Sequence, residues 1–167
     1  CEDFGYKVNN LRPKKLAGDE VETLDVLNYE INKQEKELSK RYDYVLLLQP
    51  TCPLRKAEHI NACIELLDGE FDSIVSIKNV DGDHPYRMKK IIGSKLVNFI
   101  DQGFEDMRPR QTLPKVYRRA GSVYVSRKDI LMTMNSLVSE PCGAVVVDPI
   151  EAIDINSPLD FLTAQSI

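Results

Sequence analysis

With 167 residues the chain is long enough to bury one substantial core. Its 43% hydrophobic and 29% charged residues are those of an ordinary globular domain, and a net charge of −4 excludes a basic nucleic-acid scaffold. No apolar run approaches the roughly 20 residues needed to span a bilayer, and none reads as a signal peptide, so neither nucleic acid nor membrane is expected as a partner.

In chain order, Phe4–Val8 reads as a short helix end and strand, and Asn9–Gly18 as a loop carrying Arg12-Pro13. Asp19, with Glu22 three residues on, has the form of a capping box. Leu24, Leu27, Ile31 and Leu38 then repeat at helical spacing up to about Ser39, with Lys33–Glu37 as the solvated face. Tyr44–Leu48 is an unbroken apolar run, as in a strand buried on both faces; Pro50 and Pro53 must end it. Ala57–Leu67 is amphipathic through Ile60, Cys63, Ile64 and Leu67, with Gly69 placed to stop it. Asp72–Ile77 is a second strand, and strand–helix–strand implies a right-handed parallel crossover. Asp81–Pro85 is a loop. Met88–Ile92 and Lys95–Ile100 flank Gly93-Ser94 as a hairpin. Phe104–Lys115 is polar and aperiodic. Gly121–Val125 is a strand, Arg127–Met134 a helix, and Ala144–Val147 a last strand. Ser157 and Pro158 open a closing helix as N-cap and first helical residue.

Three constellations carry chemistry. The Tyr44–Leu48 strand runs into Gln49-Pro50-Thr51-Cys52-Pro53-Leu54-Arg55, and in open α/β sheets ligands bind at the carboxyl ends of strands; an ordinary strand-to-helix loop would read the same way. If 153–156 is extended, Asp154 and Asn156 share a side while Ile155 packs inward. Two oxygen ligands so placed suit Mg²⁺, although an Asp before a helix is equally a cap. The third is basic: Arg108, Arg110, Lys115, Arg118 and Arg119, whose forks suit carboxylates and phosphates or simply face solvent. The four cysteines are scattered with only two histidines beside them, so free thiols are expected, not a zinc site.

The run Leu47-Leu48-Gln49-Pro50-Thr51-Cys52-Pro53-Leu54-Arg55 resembles a signature of the acylneuraminate cytidylyltransferases, or CMP-sialic acid synthetases, with Cys52 where Ser is common. Four further segments resemble that family in its own order: Arg12-Pro13 to Asp19, His84–Arg87, Arg110–Tyr124, and Ile153–Phe161. The resemblance implies a Rossmann-like α/β nucleotidyltransferase fold. The expected architecture is a three-layer sandwich, a mostly parallel sheet with a small antiparallel insertion over roughly 81–117 that makes a dimer contact. It implies transfer of CMP from CTP to the anomeric hydroxyl of a nine-carbon sugar acid, with Mg²⁺ as cofactor and pyrophosphate released, in a cytoplasmic homodimer. Residue by residue, it implies that Gln49, Thr51, Arg110, Arg118 and Tyr124 hold the sugar acid and phosphates. Arg12, Val21 and Thr23 would hold the nucleotide, Asp154 and Asn156 the metal, and Asp154 and Arg87 would serve the reaction itself. His84 is not promoted beyond a structural loop residue, and Cys52 is not expected to be a nucleophile.

The chain departs from the family at Ala120, where Asn is usual, at Asn156, where a second Asp is usual, and at Arg87, where Lys is usual. These leave open a sister nucleotidyltransferase using another sugar acid or nucleotide. Nothing matches the family's Gly/Arg/Lys-rich triphosphate loop, expected before these motifs. A single domain over 1–167 lacking its N-terminal part is therefore expected, with no turnover by these residues alone; a non-catalytic remnant is the alternative.

Overall fold

The computed structural model describes residue 5, residues 11–80 and residues 82–167. Of the expected short helix end and strand at Phe4–Val8 all but Gly5, and the loop residue Asp81, lie outside the described residues.

Helix α1, Thr23–Leu38, follows a 3-10 turn at Lys14–Leu16. It starts later than a cap at Asp19 would place it. Val21 N–H closes a turn onto Gly18 O at 3.2 Å, and the extended Glu22 is the cap residue, with no side-chain cap bond. Strand β1 is Tyr44–Leu47 and helix α2 is Ala57–Glu65, continued by a 3-10 turn to Asp68. Strand β2 is Ser73–Asn79. The hairpin β3, Lys89–Ile92, and β4, Lys95–Asn98, turns at Gly93, whose φ of 63° suits glycine. Strand β5, Tyr117–Arg127, is twice the length expected for it. Helix α3, Lys128–Met134, strand β6, Cys142–Val146, and helix α4, Pro158–Gln165, complete the chain. Ser157 caps α4 by accepting the Asp160 N–H, as its position dictates.

The main sheet has the order β1-β5-β2-β6. β2 and β6 pair in parallel, while β5 is antiparallel to both of its neighbours, β1 and β2. Three of the four strands therefore point the same way and β5 is reversed. β1 and β2 have the shared direction that their connection through α2 implies, but β5 lies between them. The hairpin β3–β4 forms its own two-stranded sheet within the 81–117 segment.

Helices cover both faces of the main sheet. On one, Cys63 and Leu67 pack on Ile74, Val123 and Val125. On the other, Ile31 of α1 and Leu131 of α3 meet Val45. The result is a three-layer α/β sandwich of the Rossmann-like nucleotidyltransferase type. β1 is not buried on both faces: Val45 is covered, but Leu46 is 39% exposed. Among the described residues β1 is an edge strand, and only its alternate side chains reach α1 and α3. Nor is the charged run in α1 wholly solvated, since Glu35 Oε1 accepts from Lys128 Nζ at 2.5 Å and from Tyr42 N–H at 2.9 Å, tying α1 to the start of α3.

The ladder between β2 and β5 is broken by a bulge. Val75 faces Tyr124 but Ile77 faces Arg119, so Ala120–Val123 loop out of register opposite Ser76. The Ser76 hydroxyl stands in for the missing ladder: it accepts the Val123 N–H at 2.9 Å and lies 2.8 Å from Ser122 Oγ. Gly121 sits inside the bulge at φ 79°.

The start of α2 is fastened to the segment after β6. Lys56 N–H donates to His59 Nδ1 at 3.3 Å, His59 Nε2 lies 2.9 Å from Glu151 Oε2, and Lys56 Nζ bonds Glu151 Oε1. The Lys56 ammonium is the main cause that holds the Glu151 carboxyl below the usual glutamate range. A depressed carboxylate contributes stability above its unfolded-state pKa of 4.5, and loses it as the pH falls through the lower folded-state value. Glu151→Gln should therefore melt below the parent protein at neutral pH, with the difference shrinking as the pH falls through that lowered value. Thermal melts across an acid pH series check this.

Candidate functional site

The carboxyl end of β1 lies over the β5 bulge, and the loop that follows is bonded to it at several points. Arg55 donates through Nη1 to Ser122 O at 2.8 Å and to Gln49 O at 3.1 Å. Cys52, 1% exposed, directs its thiol at Ala120 O, 3.7 Å away. The segment after β6 crosses the same place: Val147 and Ala152 pack on Ala120, and Ile155 N–H donates to Thr51 O at 2.8 Å. Three remote pieces of chain thus meet over Gly121. A methyl group there would stand 3.2 Å from Gln49 Oε1, 3.4 Å from Asp154 Oδ2 and 3.4 Å from Cys52 Sγ.

Asp154 and Asn156 point to one side, as an extended 153–156 requires. Asn156 Nδ2 donates to Asp154 Oδ2 at 3.0 Å, and Cys52 Sγ lies 3.7 Å from Asp154 Oδ1. Burial, with the Asp154 carboxylate beside it, pushes the Cys52 thiol up, so Cys52 stays protonated and is a poor nucleophile. Tyr124 is buried on β5 opposite Leu47, and burial pushes its phenol up. Beside Asp154 the wall turns basic: Lys78, Arg118 and Arg119 line one cavity with Asp154, Asn156 and Asp160. Arg118 also lines an adjoining cavity with His84, Pro85 and Arg87.

Gln49, Thr51, Tyr124, Asp154, Asn156 and Arg118 are thus brought to one end of the sheet. The other expected residues lie elsewhere. Arg87, in a 3-10 turn, gives a 2.5 Å bond to Arg108 O. Arg110 is exposed in a second 3-10 turn. Arg12 is exposed, Val21 is half-buried and Thr23 opens α1; among the described residues no hydrogen bond or ion pair joins these three to the Asp154 group. His84 is structural: it is 4% exposed, accepts the Tyr86 N–H at 3.2 Å, and lies 3.1 Å from Pro114 O. A further cavity, between Arg41–Tyr44 and Arg127–Asp129, is at the opposite end of β1 and holds none of these residues.

Two residues of the site escape a reading of motifs. Lys78 is a lysine in the otherwise small and apolar strand Ser73–Ile77, and that contrast is its only signal. Asp160 looks like a helix-capping residue and is one, accepting from Ser157 Oγ at 2.7 Å and Asn156 N–H at 3.1 Å, but it also lines the basic cavity.

For a metal, the donor set is small. Among the described residues no group of three or more His, Cys, Asp or Glu converges. Asp154 offers one carboxylate, and turning the Asn156 amide would present its oxygen on the same side. That fits Mg²⁺, which commonly takes one or two carboxylates and completes its shell with substrate phosphates and water.

Gly121→Ala tests the convergence. The left-handed backbone alone should cost about 1–2 kcal/mol. The new methyl would also press on Gln49 Oε1, 3.2 Å away, which must give by a few tenths of an ångström. Urea denaturation should give the loss, while Gly121→Ser should be no milder.

No family model matches the chain. It is similar to a CMP-N,N'-diacetyllegionaminic acid synthase of Legionella pneumophila, with 29% identity covering 98% of this chain and 70% of that protein. It is similar to the Helicobacter pylori protein named pseudaminic acid cytidylyltransferase and UDP-2,4-diacetamido-2,4,6-trideoxy-beta-L-altropyranose hydrolase, at 27% identity covering 99% of this chain and 31% of that one. An N-acylneuraminate cytidylyltransferase of Streptococcus agalactiae is 26% identical over 97% of this chain and 38% of its own length. The last two are thus matched over less than half of their length. Over nearly all of its own residues, and at modest identity, the chain thus has curated homologues named as a CMP-legionaminic acid synthase, a pseudaminic acid cytidylyltransferase and an N-acylneuraminate cytidylyltransferase.

Proposed function

We propose that the gene product carrying these residues transfers CMP from CTP to the anomeric hydroxyl of a nine-carbon, sialic-acid-like sugar acid and releases pyrophosphate. The observation that carries this reading is the convergence of Gln49, Cys52 and Asp154 over Gly121 beside a basic wall. Neutral hydrogen-bonding groups, a carboxylate and cations side by side suit a polyhydroxylated acid and a phosphate chain.

In this reading Gln49 and the Thr51 loop orient the sugar acid, and Arg118 takes an anionic oxygen in a forked contact. Tyr124 stays neutral and packs beneath the site. Asp154 and Asn156 would hold Mg²⁺, which when bound neutralises charge on the phosphates. Chemistry of this kind needs little covalent work from the protein; alignment and electrostatics supply most of the acceleration. Arg12, Val21 and Thr23 approach the nucleotide, and Arg87 serves the substrates from the neighbouring cavity. A cytoplasmic homodimer through the 81–117 segment is part of the proposal. Its support is the exposed apolar surface of the hairpin, with Ile91 75%, Leu96 68% and Phe99 59% exposed. No helix of the described residues is long and apolar enough to cross a membrane.

A second reading, a sister enzyme for a different sugar acid, has one specific observation in its favour. Ala120 is 1% exposed and closed in by Val147 and Ala152, so this wall offers no side-chain amide to a substrate.

The test is pyrophosphate release by the gene product with CTP, compared with the other nucleoside triphosphates, across a panel of nine-carbon sugar acids. CTP-dependent release is expected, and Asp154→Asn should cut it by about 100-fold or more. Absence of release with every sugar acid overturns the reading, and release with another nucleotide favours the sister enzyme.

A further inference from the structure

Lys78 stands near the end of β2 and is 7% exposed. Directly across the antiparallel ladder is Arg118. Opposed residues in such a pair project from the same face with their Cβ atoms roughly 5 Å apart, and like charges so placed are destabilising. Among the described residues neither Lys78 nor Arg118 forms an ion pair. Asp154 and Asp160 share the cavity and attract the Lys78 ammonium, but neither comes within ion-pair distance of it; both are hydrogen-bonded to Asn156, and Asp160 also to Ser157. Lys78 Nζ has one partner, Ala152 O, which leaves two of its three N–H donors for another group. Burial and the facing Arg118 push its ammonium pKa down.

An ammonium buried against a second cation, without an ion pair of its own, is a local conflict. Proteins retain such conflicts where a ligand resolves them. The cavity wall holds what resolution requires: two cations on adjacent strands, their donors free, opening onto the same space as Asp154.

We propose that Lys78 is a ligand-binding residue that closes with Arg118 on one anionic group of the substrate, a carboxylate or a phosphate. This deepens the cytidylyl-transfer reading and rests on it only for the two sources of that anion, the sugar acid and the nucleotide. Lys78 supplies a compact point charge from beneath and Arg118 a fork from the rim, so the anion is held from two sides. The Ala152 carbonyl fixes the ammonium, and through Ala152 the clamp is continuous with the segment that carries Asp154.

The experiment compares the gene product with Lys78→Met, Lys78→Gln and Lys78→Arg, as ligand-free melts and as melts with inorganic pyrophosphate or with N-acetylneuraminate. Without ligand, Lys78→Met should melt no lower than the parent, because it keeps the packed stem and removes the repulsion. The parent should be stabilised by at least one probe. Lys78→Met and Lys78→Gln should bind that probe about tenfold or more weakly, and Lys78→Arg should keep part of the binding. The probe whose effect disappears identifies the anion as phosphate or carboxylate. Should Lys78→Met fail to fold, Lys78→Gln, which retains a donor toward Ala152, decides. Equal stabilisation of parent and variants, or none of the parent by either probe, overturns the clamp. KM values in the pyrophosphate-release assay separate the two proposals. A probe effect without release keeps the clamp and rejects the transfer. Release with unchanged KM for both substrates in Lys78→Gln keeps the transfer and rejects the clamp.

Discussion

The bulge in β5 is the constraint on which the rest of the site depends. An antiparallel strand inserted between two strands of opposite direction must keep its ladder on both sides. Between Arg119 and Tyr124 it loses register with β2, and the Ser76 hydroxyl takes over the bond the ladder would have made. The displaced backbone then exposes carbonyls that need donors. Arg55 reaches Ser122 O and the Cys52 thiol points at Ala120 O, so the loop after β1 is held down by the same irregularity that interrupts the sheet. A glycine suits the middle of it because of its φ of 79°, and side chains from two other segments pack against the place where a Cβ would stand.

From that point two kinds of chemistry spread in opposite directions. Toward β1 lie neutral groups: the half-buried Gln49, the exposed Thr51 and the buried, protonated Cys52. Toward β2 and α4 lie the charges, with Lys78 and Arg118 on adjacent strands and Asp154 and Asp160 on the segment that follows β6. The crossing segment is itself anchored at three places: Val147 N–H on Ile77 O, Ile155 N–H on Thr51 O, and Glu151 on the first turn of α2. Asp154 is thereby positioned by elements from three parts of the chain. The Ile155–Thr51 bond ties its segment to the loop that carries Gln49.

Homology and geometry support each other unevenly. The relatives agree with a cytidylyl-transfer reading of the whole chain. The geometry, in turn, gathers only some of the family-like motifs at one end of the sheet. The Gln49–Arg55 loop, β5 and the Asp154 segment converge, whereas Arg12, Thr23 and Arg110 lie on exposed stretches. A basic, anion-seeking wall that includes Lys78 belongs to the converging part, although no motif contains it.

Much was determined locally by the residues themselves. The helical spacing in α1, the Gly93 turn of the hairpin, the Ser157-Pro158 start of α4 and the prolines that end β1 act within a few residues of one another, and each gave the element expected of it. The extended 153–156 segment likewise follows from its own pattern, with Asp154 and Asn156 on one side. What only the tertiary structure decided depends on contacts between distant residues. Nothing near Asp19 reveals that a turn at Gly18–Val21 delays α1. The apolar run of β1 is identical whether one face or both are covered, and edge position set that. The reversed direction of β5, its bulge and the placing of Gly121 against Asp154 arise from strand pairing across about half the chain. Lys78 is the clearest case: in sequence it is one lysine in a strand, and only the register that sets Arg118 opposite it, under the carbonyl of Ala152, makes it a buried charge facing a second cation.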